Sequence, residues 1–246
     1  MKKLFLPLYL SMTRRRFTRL FKPIGIRKKS AFLVTVPADL KEFIRVLPFL
    51  ENLHGIGGIT LLLPRACEAF SRYLKPDLFE YIDINEPPRL FTREFSALQI
   101  RLRDRTFDIL IALEQPASIH LPYLVPVERR IAFFYDRAYP YYNILIKGGL
   151  AALNGFFNFG EGNPKRIFHI TESENKKIDK KIGKRHPLLF VGGETHPAWA
   201  GDTFILGKDF VPDITLPKII YVCDAYHGPD NEWCELARLF KKSILP

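Results

Sequence analysis

Asp39 and Glu42 stand three residues apart, where a short apolar run (AFLVTV, 31–36) gives way to a proline and then to an amphipathic stretch (LKEFIRVLPFL, 40–50). Carboxylates placed at the end of a buried segment have two chemical uses. One can take the proton of an attacking hydroxyl, a role that needs position first and a suitable pKa second. The other use is structural. The D-x-x-E spacing suits a helix cap, in which the carboxylates satisfy orphan N–H groups and complement the helix dipole. The sequence leaves both readings open.

The elements that must position these groups follow from hydrophobic periodicity. AFLVTV reads as a buried strand, and Leu40, Phe43, Ile44, Leu47, Leu50 and Leu53 then recur at helical spacing. ITLLLP (59–64), YIDI (81–84), FDILIAL (107–113) and RRIAFF (129–134) read as further strands. RACEAFSRYL (65–74) and FTREFSALQIRLRDR (91–105) read as helices between them. Short strands alternating with helices predict right-handed βαβ units and an α/β fold with a parallel sheet. Ligands of such sheets lie beyond the carboxyl ends of the strands. The break after AFLVTV lies at such an end, and so does EQPASIH (114–120).

From about residue 140 the chain is aromatic and Gly-rich, which suits a crossover between domains. A second βα region is expected from about 166. It has a charged helix at 171–182 opened by a capping box, Thr171 with Glu174. Strands are expected at 188–193 and 218–223, and a terminal helix at 232–245. The expected domains are an arm (1–30), a first domain (31–147), a linker (148–165) and a shortened second domain (166–246).

Composition suits a folded protein with a sizeable core: 47% of the 246 residues are hydrophobic and 26% charged. No run approaches the length of a spanning helix. Three widely spaced cysteines (Cys67, Cys223, Cys234) argue against a disulfide scaffold and suit a reducing compartment. Residues 1–30 hold ten of the 37 Lys and Arg and no acid, which leaves 27 basic against 26 acidic groups elsewhere. Ten of the eleven net positive charges therefore belong to the arm. The arm has no small-residue cleavage site, so it does not read as a secretory leader. Leucines, phenylalanines and Tyr9 interleave with its cations, as in an anchor at an anionic membrane surface. The other readings are a solvated tail or a contact with a partner protein. No recognised nucleic-acid module accompanies the charge, and no nucleic-acid partner is expected.

The stretch FLVTVPADLKEFIRVLPFL resembles the opening of glycosyltransferase family 9, the heptosyltransferase family. There a first strand leads into Ser-Ser-Leu-Gly-Asp and a helix bearing Leu-Pro-Ala-Leu, and Pro48 and Leu50 fall on that proline and second leucine. ITLLLPRACEAFSRYL is similar to the family's second strand and helix. FDILIALEQ is similar to Tyr-Asp-Leu-Val-Ile-Asp-Leu-Gln, RRIAF to Arg-Ile-Gly-Phe, and YPYYNILIK to the aromatic-Asn-Leu segment entering the crossover. Residues 31 to about 147 are covered.

The resemblance implies a GT-B architecture, in which two Rossmann-like domains face each other across a cleft. It also implies metal-independent transfer of a sugar from a nucleotide sugar to a glycan or glycolipid acceptor, with no cofactor, in envelope or lipopolysaccharide assembly at the cytoplasmic membrane face. Its presumed base falls on Glu42, with Asp39 on a family serine. Lys41 replaces a glycine, and its ammonium favours the ionised carboxylate.

Other roles are carried over in the same way. Gly192, Gly193 and Thr195 in GGETH are expected to approach the donor phosphates, or else form an ordinary glycine turn. Lys41, Arg129 and Arg130 are expected to meet an anionic acceptor, the two arginines being otherwise edge residues. Phe133, Phe134, Tyr135, Tyr139, Tyr141 and Tyr142 suit sugar stacking or the core. CDAYHGPDNEWCE (223–235) has no finger or ribbon spacing, so a turn capped by Asp230 or Asn231 is expected, and no metal. The family's Asp-Ser-Gly-x-x-His-like donor segment is absent. A non-catalytic binding or scaffold protein, or a half-enzyme completed by another chain, is the rival reading.

Overall fold

The computed structural model describes residues 2–18, 29–75, 77–85, 87–168, 187–193, 199–206 and 216–245. The expected capping box at Thr171 and Glu174, Thr195, and residues 19–28 of the arm lie outside them.

A helix, α1 (Lys2–Thr18), precedes the first sheet. The chain then runs β1 (Ser30–Thr35), α2 (Leu40–His54), β2 (Gly57–Pro64), α3 (Arg65–Ser71), β3 (Glu80–Ile84), α4 (Arg93–Leu102), β4 (Ile109–Ala112), β5 (Arg129–Phe133) and β6 (Ile144–Ile146). These six strands form one parallel sheet in the order β3-β2-β1-β4-β5-β6. Helices α5 (Gly149–Phe157) and α6 (Pro164–Ile167) lead away from it. A second parallel sheet follows, with β7 (Leu188–Val191), β8 (Asp202–Ile205), α7 (Leu216–Val222), β9 (Ala225–His227), α8 (Glu232–Leu239) and β10 (Ser243–Leu245). Its strand order is β10-β9-β7-β8. The architecture is the expected α/β one, with two Rossmann-like parallel sheets.

Side-chain alternation explains why β1 sits at the centre of the first sheet. Phe32 and Val34 point into one core and Leu33 into the other, all fully buried. A strand covered on both faces reads as a continuous apolar run. On the first face α2 contributes Phe43, Ile44, Leu47, Leu50 and Leu53, each fully buried. Burial of this kind is worth up to about 1.5–3 kcal/mol per side chain. On the second face lie Phe95, Leu98 and Leu102 of α4. The first core runs on into the second sheet, through Leu188, Phe190 and Tyr226. Gly57 permits the pairing of β1 with β2: a Cβ there would stand 1.9 Å from the Ser30 carbonyl oxygen.

Several sequence expectations change in the second half. The strand expected at 218–223 is instead helix α7 as far as Val222. Leu216, Pro217, Lys218, Ile219 and Ile220 are all buried, and a short apolar run buried all round has no period to separate strand from helix. Pro217 in the first turn favours the helix, where its missing N–H costs nothing. The terminal helix stops at Leu239. Lys241 takes a left-handed φ of 57°, and the chain enters β10 instead. Strand β6 and helix α5 lie in the stretch expected as connection, and β8 is a strand the sequence pattern does not signal.

The arm also differs from a free anchor, because α1 packs against the first sheet's second core. Phe17 is buried, with its ring 4.8 Å from Tyr123 and 5.5 Å from Tyr141. Tyr9 meets Phe91 at 5.0 Å, and the Thr13 hydroxyl shares a 2.7 Å hydrogen bond with that of Tyr123. Beneath Phe17 lies Arg130, 1% exposed, its guanidinium 5.0 Å from the ring centroid. It donates to the carbonyls of Tyr141 (2.6 Å), Val127 (2.7 Å) and Phe17 (3.3 Å). Burial lowers its pKa to about 10, so it stays charged at neutral pH. Arg130 is thus a rivet between α1, β5 and the segment before β6. Arg130→Met keeps most of the apolar volume but strands three carbonyls. We expect it to lower the unfolding free energy by about 2–4 kcal/mol in urea titration.

Candidate active site

The order β3-β2-β1-β4-β5-β6 reverses direction between β1 and β4, and a crevice opens outside the carboxyl ends of strands at such a point. A cleft of about 710 Å³ lies there. Its walls are the segment 35–39 after β1, the first turn of α2, Pro87 and Pro88 after β3, residues 113–116 after β4, Phe133 of β5 and the start of α5. The volume falls in the range of small-molecule sites.

Three carboxyls line it, each with different partners. Asp39 is the N-cap of α2: its Oδ1 accepts from the Glu42 N–H at 3.0 Å. Half of the expected capping box is therefore present. Glu42 does not reach back to complete it; its carboxylate pairs with Arg45 one turn on. The third carboxyl is Glu114, two residues past the end of β4. Register brings it to β1, since Thr35 pairs with Ala112 and the Leu113 N–H donates to the Thr35 carbonyl at 2.9 Å. The Thr35 hydroxyl donates to Glu114 Oε2, and the Ser118 N–H stands 3.4 Å from Oε1. Burial raises the Glu114 pKa above the ordinary carboxylate value, against the pull of these donors. Sequence reading placed the segment 114–120 at a strand end but did not single out Glu114. A lone carboxylate after an apolar run carries no spacing signal.

The loop bearing Glu114 is clamped from behind. The Tyr135 hydroxyl donates to the Ala117 carbonyl at 2.5 Å, and the Tyr142 hydroxyl to the Ser118 carbonyl at 2.7 Å. Burial raises both phenol pKa values, so both remain donors. Of the aromatic group named from the sequence, Phe133 lines the cleft, and Tyr141 and Tyr142 are core. Phe134 and Tyr139 are exposed.

The other residues singled out from the sequence are not gathered here. Arg129 and Arg130 begin β5, at the end of the sheet opposite the cleft. Lys41 points away from the cleft to Asp230 in the loop before α8, at 2.7 Å. In the second half, the Gly192 N–H donates to the His227 carbonyl at 2.8 Å. A Cβ on Gly192 would stand 2.5 Å from the Tyr226 hydroxyl, so close packing accounts for that glycine. Gly193 follows it at the carboxyl end of β7. Asn231, one of the two expected caps, caps α8 by accepting from the N–H groups of Trp233 and Cys234. Among the described residues, no group of three His, Cys, Asp or Glu is placed to hold a metal ion.

A charged strip joins the halves along α2. Arg45 donates to Glu235 of α8 at 3.0 Å, and Arg238 reaches the same carboxylate at 2.9 Å and Asp230 at 2.8 Å. Hydrogen bonding to Glu235, aided by Glu42, raises the Arg45 pKa and holds the guanidinium charged. Burial opposes the Glu235 carboxylate, but its bonds from Arg45 and Arg238 prevail and its pKa is lowered. The Lys41 and Arg238 contacts lower Asp230 to about 2.

Solved structures share this fold. E. coli ADP-heptose lps heptosyltransferase II aligns over 87% of this chain and 83% of its own, at a TM-score of 0.55 and 14% identity. A glycosyl transferase family 9 protein from Veillonella parvula aligns over 89% and 80%, at 0.58 and 13% identity. E. coli heptosyltransferase WaaC with ADP-2-deoxy-2-fluoro heptose aligns over 87% of each chain, at 0.51 and 10% identity. The fold is therefore heptosyltransferase-like, of GT-B type. No protein-family model and no curated protein sequence matches the chain.

The Glu235 side chain is 9% exposed and that of Arg45 43%, so losing Arg45 leaves a nearly buried carboxylate with Arg238 alone. We expect Arg45→Met to cost about 1–2 kcal/mol at neutral pH, below the full cost of breaking a buried pair. Because the folded pKa of Glu235 is lowered, the wild-type advantage should be complete above its ordinary value of 4.5 and fade as pH falls below it. Denaturant titration of both proteins across that range checks the sign.

Proposed function

We propose that the chain transfers a sugar from a nucleotide-linked donor to a hydroxyl of a glycan or glycolipid acceptor. The observation that carries the reading is the cleft at the β1–β4 switch point, walled by Asp39, Glu42 and Glu114, in a heptosyltransferase-like fold. Such a reaction asks little covalent chemistry of the protein. It needs the two substrates held in line, a group to take the hydroxyl proton, and dipoles to receive the leaving diphosphate.

We place the acceptor in the cleft of the first half. The donor is assigned to the carboxyl ends of β7 and β9, with Gly193 at the turn nearest its phosphates. Gly192 contributes shape rather than an N–H, since its N–H is already spent on His227. No metal or cofactor is part of the reading. Envelope glycan or lipopolysaccharide assembly is the setting we infer. One of the proteins with this fold is named for ADP-heptose and lps, which makes ADP-heptose the first donor to try.

The reading also locates the reaction at a membrane surface. No described helix is long and apolar enough to cross a membrane. Yet α1, docked through Tyr9 and Phe17, turns Leu8 and Met12 outward, 58% and 72% exposed, and leaves Phe5 55% exposed beside Phe91. These residues recur at helical spacing beside exposed Arg14, Arg15 and Arg16. An apolar row flanked by cations suits the headgroup boundary of an anionic bilayer.

Two experiments test these proposals. Calorimetric titration with ADP, GDP, UDP and their sugar conjugates should give saturable binding of one nucleotide, and a folded protein that binds none would overturn the transferase reading. In flotation assays the protein should bind vesicles containing phosphatidylglycerol but not phosphatidylcholine alone. Leu8→Glu with Met12→Glu should abolish that binding while α1 stays docked; equal binding by the variant would remove α1 as the contact.

A further inference from the structure

We propose that Glu114 is the group that accepts the proton of the attacking hydroxyl in the cleft. The inference rests on the glycosyl-transfer reading and goes beyond it by choosing among three carboxyls.

The choice follows from what each carboxyl already does. Asp39 is spent on the helix: its Oδ1 holds the Glu42 N–H. Glu42 is held by Arg45, and Arg45 is held in turn by Glu235 across the two halves. Taking a proton would cost Glu42 its ion pair and loosen that link. Glu114 is bound only by neutral donors, the Thr35 hydroxyl and the Ser118 N–H. Among the described residues no Lys or Arg pairs with it. It sits where β1 and β4 part, at the point where ligands of such sheets lie. Its loop is fixed by Tyr135 and Tyr142 from behind, so the carboxyl is pre-positioned.

The balance of the step is simple. The acceptor oxygen forms a bond to the anomeric carbon of the donor, and the bond from that carbon to the diphosphate oxygen breaks. The electron pair leaves with the nucleoside diphosphate. The hydroxyl proton passes to the Glu114 carboxylate and then to water as products depart. A base works best with a pKa near the working pH, and burial moves Glu114 upward in that direction. The other titratable or charged groups facing it are Asp39, Glu42 and Arg45 from the α2 side and Tyr135 and Tyr142 from behind.

The test uses the full chain and the nucleotide sugar that saturates in calorimetry. Release of nucleoside diphosphate is followed, with water standing in for the unidentified acceptor. Glu114→Gln preserves shape and both neighbouring donors. It should bind the donor as the wild type does, lower kcat by roughly 100-fold or more, and lose the acid limb of the pH–rate profile. Glu114→Asp should recover part of the rate. Glu114→Gln with wild-type kcat and an intact acid limb, or a comparable loss confined to Glu42→Gln, overturns the assignment while leaving the transferase reading in place. Failure of the wild type to bind any nucleotide sugar overturns both.

Discussion

Helix α2 is packed from two sides. One face lies on the first sheet through Phe43, Ile44, Leu47 and Leu50, and another meets α8 of the second half. Its first turn is a wall of the cleft, and its N-cap is one of the cleft's carboxyls. Arg45, on its second turn, is the ion-pair partner of the nearly buried Glu235. A helix so placed cannot tilt or slide without disturbing the core, the cleft and the contact between the halves together. Close packing makes such shifts discrete rather than gradual, because interiors transmit strain instead of absorbing it.

Charge in the cleft region is arranged by partner, not by residue type. Cation–carboxylate contacts run along α2 and α8, while the Glu114 carboxyl lining the cleft receives only a hydroxyl and an N–H. Ion pairs favour the charged form of a carboxyl and burial disfavours it. The same side-chain chemistry is therefore held ionised by cations at Glu235 and shifted toward the neutral form by burial at Glu114.

The N-terminal helix shows how a basic segment acquires a definite surface. Phe17 closes over Arg130, and Tyr9 packs on Phe91 and Tyr123, so one side of α1 is committed to the fold. The opposite side keeps Leu8 and Met12 in the open, and Phe5, in edge contact with Phe91, stands half-exposed at the border. Docking sorts apolar residues that composition alone pools together. It also accounts for Arg130, whose position before a strand suggested an anion contact but whose donors are used on three backbone carbonyls.

The first sheet and its helices were legible in the sequence because both carry a period. Strands such as 31–36 and 59–64 are runs buried on both faces, and the Leu40 to Leu53 series repeats at helical spacing. Asp39 as the helix cap and the cleft beyond β1 and β4 follow from the same signals. The second half was read less well, since strands of three or four residues hold too few positions to display a period. Residues 216–220 are all buried and form a helix. Only the tertiary structure decided which carboxyl faces the cleft without a cation, because that depends on register between β1 and β4 and on Arg45 reaching another element. It likewise sent Lys41 to Asp230 and Arg130 into the interior. Residue type and local spacing determine which element a side chain belongs to; its partner, and hence its charge state and chemistry, is set by groups that lie up to 190 positions away.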